Sequence, residues 1–140
     1  MRTLLIITIL SLHLNILKAQ NSEMNTLTIN FEITTSDQGQ MLFALYDSEA
    51  NHMDKTFKTA EVKIENGKAQ VIVSDLKSGY YSFSYFHDVN SNGELDTNLV
   101  GIPKEPYGFS NGEKGRLGPP DFEDCKIKID NNINLEISIK

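Results

Sequence analysis

The stretch Leu76-Lys77-Ser78-Gly79-Tyr80-Tyr81-Ser82-Phe83-Ser84-Tyr85-Phe86 decides the fold. A leucine, a glycine three positions on and a tyrosine two beyond that have the spacing of a tyrosine corner. In that device the phenol hydroxyl bonds back to the main chain and pins the turn between two sheets. Tyr81, Phe83 and Tyr85 then fall on one face, and Ser82 and Ser84 on the other. This period-two pattern predicts a strand with an apolar side to bury.

Working outward, the same period recurs and no helical stripe competes with it. Leu27, Ile29, Phe31 and Ile33 alternate with Thr28, Asn30, Glu32 and Thr34. Met41 to Tyr46 follows Asp37-Gln38-Gly39. The segment from Asp47 to Lys58 is polar and irregular, with room for a short helical turn. Val62 and Ile64 lead through Glu65-Asn66-Gly67-Lys68 into Ala69, Val71 and Val73, and Asn-Gly suits the positive φ angles of a two-residue hairpin turn. Lys126 to Asp130 and Ile133 to Lys140 close the chain, joined by Asn131-Asn132. The expected fold is all-β: a single antiparallel β-sandwich, immunoglobulin-like or transthyretin-like, with about seven strands.

Residues 1–19 stand apart from this pattern. Met1-Arg2 is a short basic start, Leu4 to Leu17 is mostly apolar although His13 and Asn15 interrupt it, and Ala19 follows. This is the layout of a secretory signal peptide, and the apolar run is shorter than the roughly 20 residues a transmembrane helix needs. The expected domain is therefore residues 20–140, exported to the periplasm or secreted, with no integral membrane span after cleavage. Without Arg2 and Lys18 the 13 basic residues fall to 11, against 19 acidic ones, for a formal charge of −8. That balance argues against nucleic acid as a partner. The single cysteine, Cys125, rules out an internal disulfide framework, and its alternation with Ile127 and Ile129 predicts a buried, inert thiol.

Between the tyrosine strand and the last two strands, from about 87 to 122, no strand pattern is legible. Loops of this length in compact domains are functional or disordered. Here Leu95, Leu99, Val100, Ile102, Tyr107, Phe109, Leu117 and Phe122 favour order. The insert is expected to fold back over the sheet and cover Phe86.

The insert opens with Asp88-Val89-Asn90-Ser91-Asn92-Gly93-Glu94-Leu95-Asp96. Oxygen-bearing side chains at alternate positions, then glycine, then further carboxylates, follow the spacing of a loop that wraps calcium. The expected metal ligands are Asp88, Asn90, Asn92, Glu94 and Asp96. The twelfth position, which should supply a bidentate glutamate, is Leu99, and no flanking helices are predicted, so the loop is not an EF-hand. A further ligand would have to come from Asn98, Glu105, Asp121 or Glu123. With so few carboxylates, calcium should bind weakly, at about 10⁻⁴–10⁻³ M. The competing reading is a metal-free turn, because Asp, Asn and Gly also serve tight turns.

Catalytic signals are thin. His87 beside Asp88 could act as a base, with Ser110, Tyr107 and Arg116 around it. Neighbours on a strand point to opposite faces, however, which keeps His87 and Asp88 apart. His52 lies in the polar segment without an evident partner. No phosphate loop, zinc spacing or nucleophile elbow is present.

Phe86 to Asp96, with Gly101 to Asn111 and Gly118-Pro119-Pro120-Asp121-Phe122, closely resembles the exported bacterial domain-of-unknown-function family 2141. The resemblance extends from about Leu27 to the end. It implies a small periplasmic or secreted β-sandwich and no established activity, so it carries no catalytic residue. Cys125 stands where that family more often has a small apolar residue, which agrees with burial. The Asp-Asn loop alone also resembles calcium loops in immunoglobulin-like adhesin repeats. The functional expectation is a non-enzymatic binding or structural module of the cell envelope, whose partner is an envelope protein, a glycan or a small ligand. The alternatives are an envelope hydrolase using the insert, and a carrier of a small apolar ligand lined by Phe86, Tyr107 and Phe109.

Overall fold

The computed structural model describes residues 24–115 and 117–140. The expected signal peptide and Arg116 lie outside the described residues. Eight strands are present: β1 (Asn25–Ile33), β2 (Gln40–Tyr46), β3 (Lys58–Lys63), β4 (Lys68–Leu76), β5 (Gly79–Asp88), β6 (Tyr107–Phe109), β7 (Ile127–Ile129) and β8 (Ile133–Ile139). A single helical turn, α1 (Phe122–Cys125), precedes β7. Among the described residues no helix is long and apolar enough to cross a membrane.

The strands form two sheets, one in the order β4-β1-β8 and the other β3-β2-β5-β6, with β7 paired to the start of β5. Their apolar faces meet in one core. Leu27, Ile29 and Phe31 of β1 and Val71 of β4 face Met41 and Leu45 of β2 and Phe83 of β5, all essentially without solvent contact. Alternation is the cause: side chains an even number of residues apart on a strand share a face, and burial contributes about 1.5–3 kcal/mol apiece.

Pairing corrects the sequence reading in three places. The sandwich is not purely antiparallel, because β1 and β8 run parallel, with Ile29 opposite Leu135. Parallel neighbours need a long crossover, and here the whole domain between them supplies it. There is also an eighth strand: β6 lies inside the supposed strandless insert and pairs Ser84 with Phe109 and Phe86 with Tyr107. Finally, the Asn66–Gly67 turn forms as expected, with φ +53° and +70°. It joins only one bridged pair, Glu65 and Lys68, before β3 and β4 part into different sheets.

The tyrosine corner forms. Tyr81 Oη donates to the Lys77 carbonyl at 2.9 Å, tying the turn before β5 back to the end of β4. β4 and β5 belong to different sheets, so this bond pins the passage between them.

Candidate binding cleft and the acidic loop

The outer face of the β3-β2-β5-β6 sheet can be read row by row from the pairing register. One row runs Glu61, Leu42, Phe86, Tyr107; the next runs Thr59, Ala44, Ser84, Phe109. The second row places small residues, Ala44 and Ser84, at the sheet centre, between Leu42 and Phe86 on one side and Tyr46 on the other. The result is a cleft of about 500 Å³. Leu95 of the acidic loop and Met53 of the segment before β3 form two of its walls. Its floor carries one polar pair, the Tyr46 and Ser84 hydroxyls, 3.2 Å apart. An apolar concavity of this size with a few convergent polar groups is the usual form of a small-ligand site.

Two larger grooves, of about 810 and 770 Å³, differ in character. The first opens where the sheets part beside β8, and Glu105, Glu113, Lys114 and Lys140 stand among its walls. The second is edged by Glu32, Lys63, Glu65, Lys68 and Glu136. Both have charged rims with both signs present, whereas among the described residues Glu61 is the one charged group lining the 500 Å³ cleft.

The insert folds back over Phe86 in part. Phe86 is half-buried, with Leu95, Tyr107 and Phe109 contributing to the same cleft. The expectation fails for Leu99, Val100, Ile102 and Leu117, whose side chains are exposed to solvent. Leu99, Val100 and Ile102 sit on a turn held by Asn98, whose Oδ1 accepts from the Val100 and Ile102 amides at 3.0 and 2.9 Å.

The acidic loop is built around Asp88, which is fully buried. Its Oδ2 accepts from Gln40 Nε2 at 2.9 Å and from the Gly93 amide at 2.8 Å, and its Oδ1 accepts from the Asn92 amide at 3.1 Å. Burial alone would raise its pKa. The hydrogen bonds from Gln40 and from the amides of Gly93, Asn92 and Ser91 outweigh that and hold it below the ordinary carboxylate value. Ser91 adopts φ +57° and Gly93 φ +81°, which turns these amides inward. Asp96 accepts from the side-chain amides of Asn90 at 2.7 Å and Asn92 at 3.3 Å. Glu94 enters through its backbone, whose amide donates to Asn92 Oδ1 at 2.8 Å. Glu105 clamps the loop from outside, accepting from the Val89 and Asp96 amides at 2.9 and 3.0 Å.

Asp88, Asn90, Asn92 and Asp96 are therefore brought together. Their oxygens are engaged by the protein's own donors, and among the described residues no group of three His, Cys, Asp or Glu side chains is placed to hold a metal.

The catalytic candidates do not converge. His87 points into the core, where Nε2 donates to the Gln38 carbonyl at 2.7 Å, while Nδ1 is buried without a partner. Ser110 is also buried; its Oγ accepts from the Phe83 amide at 3.0 Å and so extends the β5 ladder. Cys125 is buried as expected. Burial, with Glu113, Asp124 and Asp121 nearby, pushes its thiol up to about 11.

His52, which has no evident partner in the sequence, has an organising place. His52 Nε2 donates to the Pro120 carbonyl at 2.9 Å, so its Nδ1 is free to accept from the Ser82 hydroxyl, 2.8 Å away. Its ring packs edge-on against Tyr46 and Phe122. It ties the segment before β3 to β5 and to the end of the insert. These partners lie far off along the chain, so no local pattern announces them.

A family model described as "Uncharacterized protein conserved in bacteria (DUF2141)" matches residues 29–137. The chain belongs to this family. The match runs from β1 into β8, and so takes in both sheets, the acidic loop and the cleft. No curated protein and no solved structure matches the chain.

Proposed function

We propose that this chain is an exported, non-enzymatic binding module that holds a small apolar ligand on the outer face of its five-stranded sheet. The observation that carries this reading is the cleft over Ala44 and Ser84, walled by Leu42, Phe86, Leu95 and Tyr107. A solvent-facing sheet surface gains nothing for folding from such side chains unless something covers them. The fold is read as a variant of the immunoglobulin-like or transthyretin-like sandwich, with the tyrosine corner as its nearest point of likeness. Export rests on the basic and apolar character of residues 1–19.

The test is binding of a neutral apolar fluorophore, N-phenyl-1-naphthylamine. Wild type should bind it with a fluorescence increase. Ala44→Phe, which fills the cleft floor, should weaken binding at least about tenfold, the effect expected when a ligand loses its pocket. Equal binding by both proteins would refute the reading.

A weak calcium site at Asp88, Asn90, Asn92, Glu94 and Asp96 belongs to the same proposal as a structural element. The alternation of oxygen-bearing side chains from Asp88 to Asp96 supports it; the pairing of their oxygens with protein donors weighs against tight binding. A cation would displace the amide contacts of Asn90 and Asn92 to Asp96 and draw their oxygens inward instead. Melting in EDTA and then in calcium at about 100 times its dissociation constant should show a stabilisation of roughly 2.7 kcal/mol. No shift even at about 100 mM calcium, roughly 100 times the weakest expected dissociation constant, would reduce the loop to a self-sufficient Asx turn.

A further inference from the structure

The cleft is polarised. Glu61, Leu42, Phe86 and Tyr107 lie directly opposite one another on four successive strands. With neighbouring strands about 4.8 Å apart, the row carries a carboxylate at one end and an aromatic ring about 14 Å away at the other. Glu61 makes no ion pair among the described residues. Among the described residues no lysine or arginine lines the cleft. Tyr107 and Phe109 pack edge to face, 6.0 Å between centroids, and close the far end with aromatic surface.

We infer that the ligand of this cleft is an elongated apolar molecule bearing a positive charge, an aliphatic or aromatic amine, whose ammonium lies against Glu61 and whose apolar body runs over Leu42 and Ala44 towards Phe86 and Tyr107. This rests on the cleft reading above. An acid of the same length would meet Glu61 with a like charge, and the described residues of the cleft lining include no cationic side chain to offset it, whereas an amine gains the carboxylate. The acidic balance of the whole chain biases encounter in the same direction.

The test uses three probes with one alkyl body and three charges: decylamine, 1-decanol and decanoate, each below its micellar concentration at pH 7. They are titrated into the purified protein by displacement of N-phenyl-1-naphthylamine. An alkylamine is protonated at this pH, as a lysine is. Decylamine should bind about fivefold more tightly than decanol, and decanoate more weakly than either. Glu61→Gln should remove the preference of amine over alcohol. Glu32→Gln, on the opposite sheet, should preserve it, which separates a local counter-charge from general attraction to an acidic protein. Ala44→Phe, or Ala44→Leu should the phenylalanine variant fail to fold, should abolish displacement by all three.

Decanoate binding as tightly as decylamine, or an unchanged order in Glu61→Gln, would overturn the charge assignment and leave the cleft standing. If the fluorophore binds elsewhere and none of the three probes displaces it, the cleft and the assignment fall together.

Discussion

The two sheets share one core and differ on the faces turned away from it. On the three-stranded sheet the outer row is polar and solvated: Asn30 Nδ2 donates to Asn134 and Glu136 at 3.0 and 2.7 Å, and Gln70 donates to Asn30 at 2.7 Å, all exposed. On the five-stranded sheet the outer row is Leu42, Ala44, Ser84 and Phe86, overhung by segments from elsewhere in the chain. Both sheets satisfy the same packing rule on the inside. What folding does not require therefore shows on the outside: the three-stranded sheet exposes the lone apolar side chain Ile72 there, whereas the five-stranded sheet gathers its apolar side chains into a cleft.

The comparison implies that structure-bearing interactions also concentrate around the outer face of the five-stranded sheet. The largest expected effect is at Gly39, the residue that leads into β2. Its φ is +86°, and a β-carbon there would collide with the Asp88 carbonyl and with Val89. Gly39→Ala should cost about 3 kcal/mol or more in chemical denaturation, since positive φ and a backbone collision add together.

Asp88→Ala should cost about 2–3 kcal/mol at pH 7, because it strands the donors Gln40, Asn92 and Gly93. The folded-state pKa of Asp88 is lowered, so its contribution is complete above the unfolded carboxylate value. That contribution should fade as pH falls through the folded one. The gap between wild type and variant, measured by melts from pH 7 downward, should narrow only on the acid side. A gap that widened there would break the assignment.

His52→Ala should cost about 1–2 kcal/mol, as it removes two hydrogen bonds and the ring between Tyr46 and Phe122. It should also speed amide exchange in the segment before β3. Asn30→Ala, in the solvated row of the other sheet, should stay within about 0.5 kcal/mol. Equal costs at His52 and Asn30 would erase the contrast between the two faces.

Much of the fold is legible in the chain. The alternation in β1, β2, β4, β5 and β8 marks the inner faces, Asn66-Gly67 marks a turn, and Leu76, Gly79 and Tyr81 mark the corner. The parallel pairing of β1 with β8 is not legible, because alternation fixes which side chains face inward and says nothing of which strand lies alongside. β6 escapes notice because it is three residues long, follows Pro106 and has Gly108 at its centre. That glycine is needed: a β-carbon there would collide with the Tyr85 ring and hydroxyl. Of the candidate site, Phe86, Tyr107 and Phe109 could be singled out as apolar residues without a core to join. Leu42 and Ala44 could not, since a run such as Met41 to Tyr46 is apolar on both faces and reads as an interior strand. The acidic loop was conspicuous for its spacing, yet what holds Asp88 is largely backbone amide and Gln40, and a pattern of side-chain types cannot show that.

The most direct test is an amide chemical-shift titration of the protein with 1-decanol, a probe that carries no charge. The account predicts saturable shifts at Leu42, Ala44, Ser84, Phe86 and Tyr107, with the amides of Asn30, Gln70 and Glu136 unmoved. Shifts confined to Leu135, Ile137 and the neighbouring groove between the sheets, or scattered evenly over both outer faces, would contradict it.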